Sequence, residues 1–153
     1  MIISSVSENK DFEKRIAITP EIAKKYTSLG FEVFLSKNYA SHLGIKDSHY
    51  SELGVNISSD DNEIINKADI VVQINLFKEE QLFNMREKQI LIGILNPYEN
   101  KITIDNLLKK KISAFSLDLL PRITRAQSMD ILSSQANLAG YKAVIEAFAN
   151  FEK

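Results

Sequence analysis

Two stretches, Asp69-Ile70-Val71-Val72-Gln73-Ile74 and Ile90-Leu91-Ile92-Gly93-Ile94-Leu95, are nearly unbroken apolar runs of strand length. A strand with one face in water alternates apolar and polar residues, so runs of this kind belong to strands covered on both faces. Between them, Lys78 to Arg86 has a helical period, with Leu82 and Phe83 expected to face inward. Strand, helix and buried strand make a βαβ unit, whose strands are parallel and whose crossover is right-handed. The rest of the chain repeats the alternation. Strands are predicted at Ile2 to Val6, Phe31 to Leu35, Val55 to Ile57 and Ile112 to Leu117, and helices after Thr19-Pro20, over Asp47 to Leu53, from Asp60 to Lys67 and over Ile104 to Lys111. Thr19 suits an N-cap with Pro20 at the first helical position, Gly30 suits a left-handed stop, and Asp60 with Glu63 resembles a capping box. The expected class is α/β, a parallel sheet with helices on both faces.

Composition narrows the function classes. With 153 residues, 44% of them hydrophobic and 25% charged, the chain has the make-up of an ordinary globular domain with one core. Nineteen basic against twenty acidic residues give a net charge of -1, so no field points to nucleic acid or an anionic membrane. Lys109-Lys110-Lys111 falls where a helix should end and reads as a solvated cap. Cysteine is absent, which excludes disulfides, thiolate zinc sites and cysteine nucleophiles. No signal-peptide pattern opens the chain, and the longest apolar run is far short of the ~20 residues a bilayer requires. A soluble, cytoplasmic protein is expected.

The catalytic inventory is thin. His42 and His49 lack a third ligand at metal spacing, Asp60 and Asp61 are better explained by a helix cap, and no G-x-S-x-G elbow surrounds any serine. The five glycines, at 30, 44, 54, 93 and 140, cannot make a G-x-G-x-x-G turn or a P-loop. If the protein handles a dinucleotide, another domain must hold the pyrophosphate.

Polar chemistry is instead concentrated in Pro121-Arg122-Ile123-Thr124-Arg125-Ala126-Gln127-Ser128-Met129-Asp130, continuing into Ile131-Leu132-Ser133-Ser134-Gln135-Ala136-Asn137-Leu138-Ala139-Gly140-Tyr141. Two readings are open: a polar helix entry with Ser128 or Thr124 as N-cap, or a loop shaped to hold a polar ligand. From Gln127 to about Phe151 the pattern is helical. Ser133, Ala136, Gly140, Ala143 and Ala147 line one face with small residues, suited either to packing on the sheet or to a helix contact across a dimer. The helical pattern runs on to the last residue without a stop signal, as expected of a piece of something larger.

The same string closely resembles the signature of the alpha subunit of proton-translocating NAD(P) transhydrogenase. Glu8 and Lys14-Arg15-Ile16-Ala17-Ile18-Thr19-Pro20 resemble the N-terminal motif shared by transhydrogenase alpha subunits and alanine dehydrogenases. The resemblance covers essentially the whole chain. It implies a flavodoxin/Rossmann-like three-layer α/β domain over residues 1–126, lacking the G-x-G-x-x-G fingerprint, and the start of a long interdomain helix over 127–153. The NAD-binding Rossmann domain would follow. Alanine dehydrogenases bind their substrate carboxylate with an arginine, matched by Arg15, and add a lysine and a histidine at positions that are Asn75 and Asn96 here. Asparagine cannot titrate, so alanine dehydrogenase activity is not expected. Gln73 replaces a lysine common in both families.

Transhydrogenation does not need those groups, since hydride passes directly between two nicotinamide rings and the protein must mainly orient them. The resemblance implies that Gln127 and Asp130 form the reacting site. Gln127 would position the dihydronicotinamide, Asp130 and Ser133 would hold its carboxamide or ribose, and Arg122 would reach the nicotinamide side or a phosphate. The backbone of Ser128 and Met129, at a helix N-terminus, would offer N–H groups. The implied cofactor is NAD(H), with NADP(H) on a partner component. The implied partners are the Rossmann domain and the NADP-binding and membrane components, with a homodimer expected and attachment to the inner membrane only through other subunits. The alternatives are an amino-acid dehydrogenase fragment and a catalytically inert dimerisation or binding module.

Overall fold

The computed structural model describes residues 1–76 and 79–151. Among these, six strands form one sheet: β1 (Ile2–Ser5), β2 (Glu32–Ser36), β3 (Asn56–Ser58), β4 (Ile70–Asn75), β5 (Ile90–Ile94) and β6 (Ser113–Ser116). Their order is β3-β2-β1-β4-β5-β6, and every neighbouring pair is parallel. The helices are α1 (Pro20–Ser28), α2 (Asp47–Glu52), α3 (Asp61–Lys67), α4 (Glu79–Phe83), α5 (Lys101–Lys109) and α6 (Ile131–Ala149). The chain divides into two compact units, Met1–Ser116, which holds the sheet, and Leu117–Lys153.

The unbroken apolar runs are explained by two hydrophobic clusters. Val71 and Leu91 enter one, with Val6, Ile64, Ile65 and Leu107, while Ile70 and Val72 pack on the other, with Ile3, Val33 and Leu35. Successive residues of β4 thus serve opposite faces, and both faces are covered by apolar side chains. This is the parallel α/β three-layer arrangement that the sequence predicts. Among the described residues no helix is long and apolar enough to cross a membrane.

Several termini follow their local signals. Thr19 accepts from Ile22 N–H with Pro20 opening α1, and Gly30 follows the helix at φ +84°, where a side chain would be strained. Asp60 caps α3 by accepting from Asn62 and Glu63 N–H. The reciprocal half of the expected capping box is missing: the Glu63 carboxylate pairs with Lys67 one turn on, and Asp60 N–H donates to Ser58 Oγ.

Around α4 the expectation needs correcting. Lys78, where the sequence predicts the helix to begin, lies outside the described residues. Leu82 is buried, but Phe83 is 81% exposed. A five-residue helix has too little inward face for both. Lys110 Nζ reaches the carbonyl oxygens of Leu82 and Phe83 at 2.9 and 2.8 Å and stands 5.0 Å from the Phe83 ring centroid. Lys110 therefore serves the carbonyl end of α4, while Lys111 pairs with Glu87, and the Phe83 ring partners a cation instead of the core.

Tyr39 carries a buried junction that periodicity does not show. Its hydroxyl oxygen accepts from the N–H groups of Ala17 and Ile18, each at 3.1 Å, and lies 2.8 Å from Ser5 Oγ. Tyr50, whose ring packs edge-on against Tyr39, donates to Ile18 O at 3.0 Å. Burial pushes the pKa of both phenols up. These bonds seat the segment leading into α1 against the end of β1. Tyr39→Phe is expected to cost about 1–3 kcal/mol, because two N–H groups lose their acceptor away from water. Denaturant titration measures this, and an unshifted midpoint would show that water replaces the hydroxyl.

Candidate functional site

The sheet order reverses between β1 and β4, and α/β folds bind ligands in the crevice at the carboxyl ends of such strands. Among the described residues, main-chain pairing of β1 with β4 joins Ile3 to Ile70 and Ser4 to Val71. Beyond it the Gln73 side chain continues the seam, donating Nε2–H to Val6 O at 2.9 Å and accepting from Val6 N–H and Ser5 Oγ at 3.2 Å. That is the role of the glutamine standing where the resemblance leads one to expect lysine. β4 is irregular between Val72 and Asn75, and Gln73 O comes so near Gly93 that a Cβ there would lie 2.5 Å away.

The crevice is a cavity of about 260 Å³, lined among others by Glu8, Phe12, Glu13, Gln73 and Asn75. Glu8 accepts from the N–H groups of Ile74 and Asn75 and from Asn75 Nδ2. Arg15 forks onto Glu13, Nε to Oε1 at 2.9 Å and Nη2 to Oε2 at 2.7 Å. That side-chain bond is the main reason the Glu13 pKa lies below its usual value, and it raises the pKa of Arg15. The guanidinium is already satisfied by a carboxylate, and Asn75 is bound to another. Asn96 follows β5 at φ +43° and uses its carbonyl oxygen to accept from Glu99 and Asn100 N–H. His42 Nε2 bonds Lys14 O at 2.7 Å. This crevice is organised around Glu8 and Glu13, which suits it poorly to an anionic substrate.

The second concave region belongs entirely to the Leu117–Lys153 unit. Thr124–Met129 forms a 3-10 stretch anchored by buried Ala126, and α6 begins at Ile131. The helix thus starts four residues later than the sequence predicts, and its N-cap is Asp130, not Ser128 or Thr124. Asp130 Oδ1 accepts from Ser133 N–H at 3.0 Å and Oδ2 from Ser133 Oγ at 2.6 Å. Asp at N-cap with a polar residue three positions on is a recognisable start signal, masked here by the serine and threonine just before it.

Pro121, Arg122, Gln127, Asp130 and Ser133 line a pocket of about 310 Å³ together with Ile123, Thr124 and Ala126. The Ser133 hydroxyl, then its N–H, hold the Asp130 carboxyl below the usual carboxylate range, and the Arg122 charge adds to this. Among the described residues, the Arg122 guanidinium and the Gln127 side-chain amide have no hydrogen-bond partner. Four of the six residues proposed from sequence as ligand contacts therefore meet around one pocket. Ser128 and Met129 close the 3-10 stretch outside its lining, ahead of the helix N-terminus and not within it.

α6 itself has no buried residue. Leu138, Tyr141, Val144, Ile145 and Phe148 are exposed, as is the small-residue stripe, and a Cβ added at Gly140 would meet nothing within 4 Å.

Comparison with known proteins gives a consistent set of relatives. The model of the family described as alanine dehydrogenase/PNT, N-terminal domain, matches residues 5–139. The first segment of NAD(P) transhydrogenase subunit alpha from Rickettsia prowazekii is 39% identical over 157 residues, covering 100% of this chain and 41% of the relative. Alanine dehydrogenase 1 of Staphylococcus aureus is 26% identical over 145 residues, covering 95% of this chain and 38% of the relative. The crystal structure of transhydrogenase from Sinorhizobium meliloti superposes with a TM-score of 0.91 at 34% identity, covering 100% of this chain and 46% of that one. The chain thus spans less than half the length of each of these proteins. With the family model matching most of its length, the chain belongs to the alanine dehydrogenase/PNT N-terminal domain family.

Proposed function

We propose that this chain is the N-terminal part of the NAD(H)-binding component of an NAD(P) transhydrogenase, and that the pocket between Pro121 and Ser133 holds the nicotinamide end of NAD(H). The observation that carries the reading is the convergence of Arg122, Gln127, Asp130 and Ser133 on one pocket, in a chain more similar to transhydrogenase alpha subunits than to alanine dehydrogenase. The donor set fits the group: Arg122 and Gln127 can donate to a carbonyl oxygen, and Asp130 and Ser133 can accept from an amide or a ribose hydroxyl. The bound nicotinamide supplies the hydride. The residues of this chain orient the ring, and no proton need be moved at oxygen or nitrogen. Pyrophosphate binding falls to a Rossmann domain elsewhere in the full-length protein. NADP(H) binds a partner component, and proton translocation belongs to membrane components. The open faces of α6 suit packing in a homodimer, and the assembly would lie on the cytoplasmic side of the inner membrane.

The amino-acid dehydrogenase reading is disfavoured by the crevice beside β4, where Glu13 occupies Arg15 and Asn75 cannot titrate. The full-length protein, mixed with its NADP-binding component, is expected to pass hydride from NADH to an NADP analogue and to show no alanine-dependent reduction of NAD. Both are read by absorbance. Robust alanine-dependent turnover would sink the proposal, as would absence of hydride transfer from a preparation that binds both nucleotides.

A further inference from the structure

One side chain ties the end of α4 to the end of α5. Lys110, the C-cap residue of α5, donates from Nζ to Leu82 O and Phe83 O at 2.9 and 2.8 Å. A crossover helix runs antiparallel to the strands it joins, so both helix ends lie at the amino edge of the sheet, opposite the crevice at the carboxyl ends of β1 and β4. Between them opens a groove of about 280 Å³, lined by Leu82, Phe83, Asn106, Leu107, Lys109 and Lys110. Leu82 and Leu107 are buried and give it an apolar floor, while the exposed Phe83 ring forms a wall that Lys110 holds in place.

The polar groups of the lining share one sign. Among the described residues the Lys109 ammonium has no carboxylate partner, and the Asn106 side-chain amide has no hydrogen bond. Lys110 spends two of its three hydrogens on carbonyl oxygens and keeps one. The lining thus holds two lysines and no carboxylate, in a chain whose net charge is -1. The neighbouring Lys111 is neutralised by Glu87 and lies outside the lining. An apolar groove with cations at its mouth complements an apolar body that carries a negative charge. Pockets for drug-sized molecules run from about 300 Å³ upward, so this groove suits a smaller one.

We infer that the groove between α4 and α5 binds a small apolar carboxylate, its body against Leu82, Leu107 and the Phe83 ring and its charge met by Lys109 and Lys110. Covering an exposed ring removes apolar surface from water, and the lysines then choose the acid over a neutral molecule of the same shape. The groove belongs wholly to the Met1–Ser116 unit, so the inference does not depend on reading the other pocket as a nicotinamide site.

The test is calorimetry on the full-length protein with naphthoate and with naphthamide, which has the same rings and no charge. Naphthoate is expected to bind at least ~3-fold more tightly, the scale of one partly exposed ion pair. Lys109→Gln should remove most of that preference and leave naphthamide affinity unchanged. Phe83→Ala should weaken both probes ~5-fold or more. Both side chains are exposed, so the thermal midpoints of the variants should match the parent's. Absence of naphthoate binding, equal binding of the two probes to the unaltered protein, or a naphthoate affinity that either substitution leaves unaltered overturns the inference.

Discussion

Gly93→Ala is expected to destabilise the Met1–Ser116 unit by about 2–4 kcal/mol, although it adds a single methyl group. Strand propensity alone gives the opposite sign, because glycine weakens a strand interior and alanine would restore some rigidity. Space decides against it. The added Cβ would lie 2.5 Å from Gln73 O and 3.4 Å from Gln73 C and Ile74 O, all of them backbone atoms that cannot rotate away. Gly93 does not have a positive φ, so the requirement is for room and not for conformation. Relief would have to come from β4 moving off β5, and β4 carries the Gln73 bonds to Val6 and the N–H groups held by Glu8. Denaturant unfolding of the two proteins measures the difference. A midpoint at or above that of the parent would show that the irregular stretch of β4 relaxes at no cost.

Gln127→Asn, in the full-length protein, is expected to slow hydride transfer about 10-fold or more while leaving NADH affinity nearly unchanged. The backbone at this position is fixed, since Gln127 O accepts from Asp130 N–H at 3.3 Å and the next residues lead directly into the α6 cap. Its side-chain amide lines the pocket and has no partner among the described residues. Shortening the side chain by one methylene withdraws that amide by about 1 Å, and displacements of this size in a positioning group can cost ~100-fold in rate. Single-turnover measurement of hydride transfer separates the rate from binding. An unchanged rate would reduce Gln127 to a residue of the 3-10 stretch.

How far the site is legible follows from how far apart its parts are in sequence. Arg122, Gln127, Asp130 and Ser133 lie within twelve consecutive residues, so their polar density is visible without a fold. The sequence misplaces the helix start because Thr124, Ser128 and Asp130 are all good caps, and only the backbone path shows that Asp130 is the one bonded to Ser133. Period alone assigns Phe83 inward. The cation that covers it comes from Lys110, twenty-seven residues on. Arg15 could be matched with Glu13 two residues earlier, but neither pattern nor resemblance requires that pairing over a ligand contact.

The sequence by itself determined the class of fold, because burial on both faces leaves a continuous apolar run that no half-exposed strand would tolerate. It also determined the caps at Thr19 and Asp60 and the stop at Gly30, because those depend on groups within a few residues of one another. Only the tertiary structure decided that β1 lies between β2 and β4, that Gln73 replaces main-chain pairing with Val6 across 67 residues, and that Gly93 must lack a side chain beside Gln73. The physical reason is range. A strand's period records that it is covered but not by what, and an amide or a glycine shows its use only when distant backbone arrives beside it.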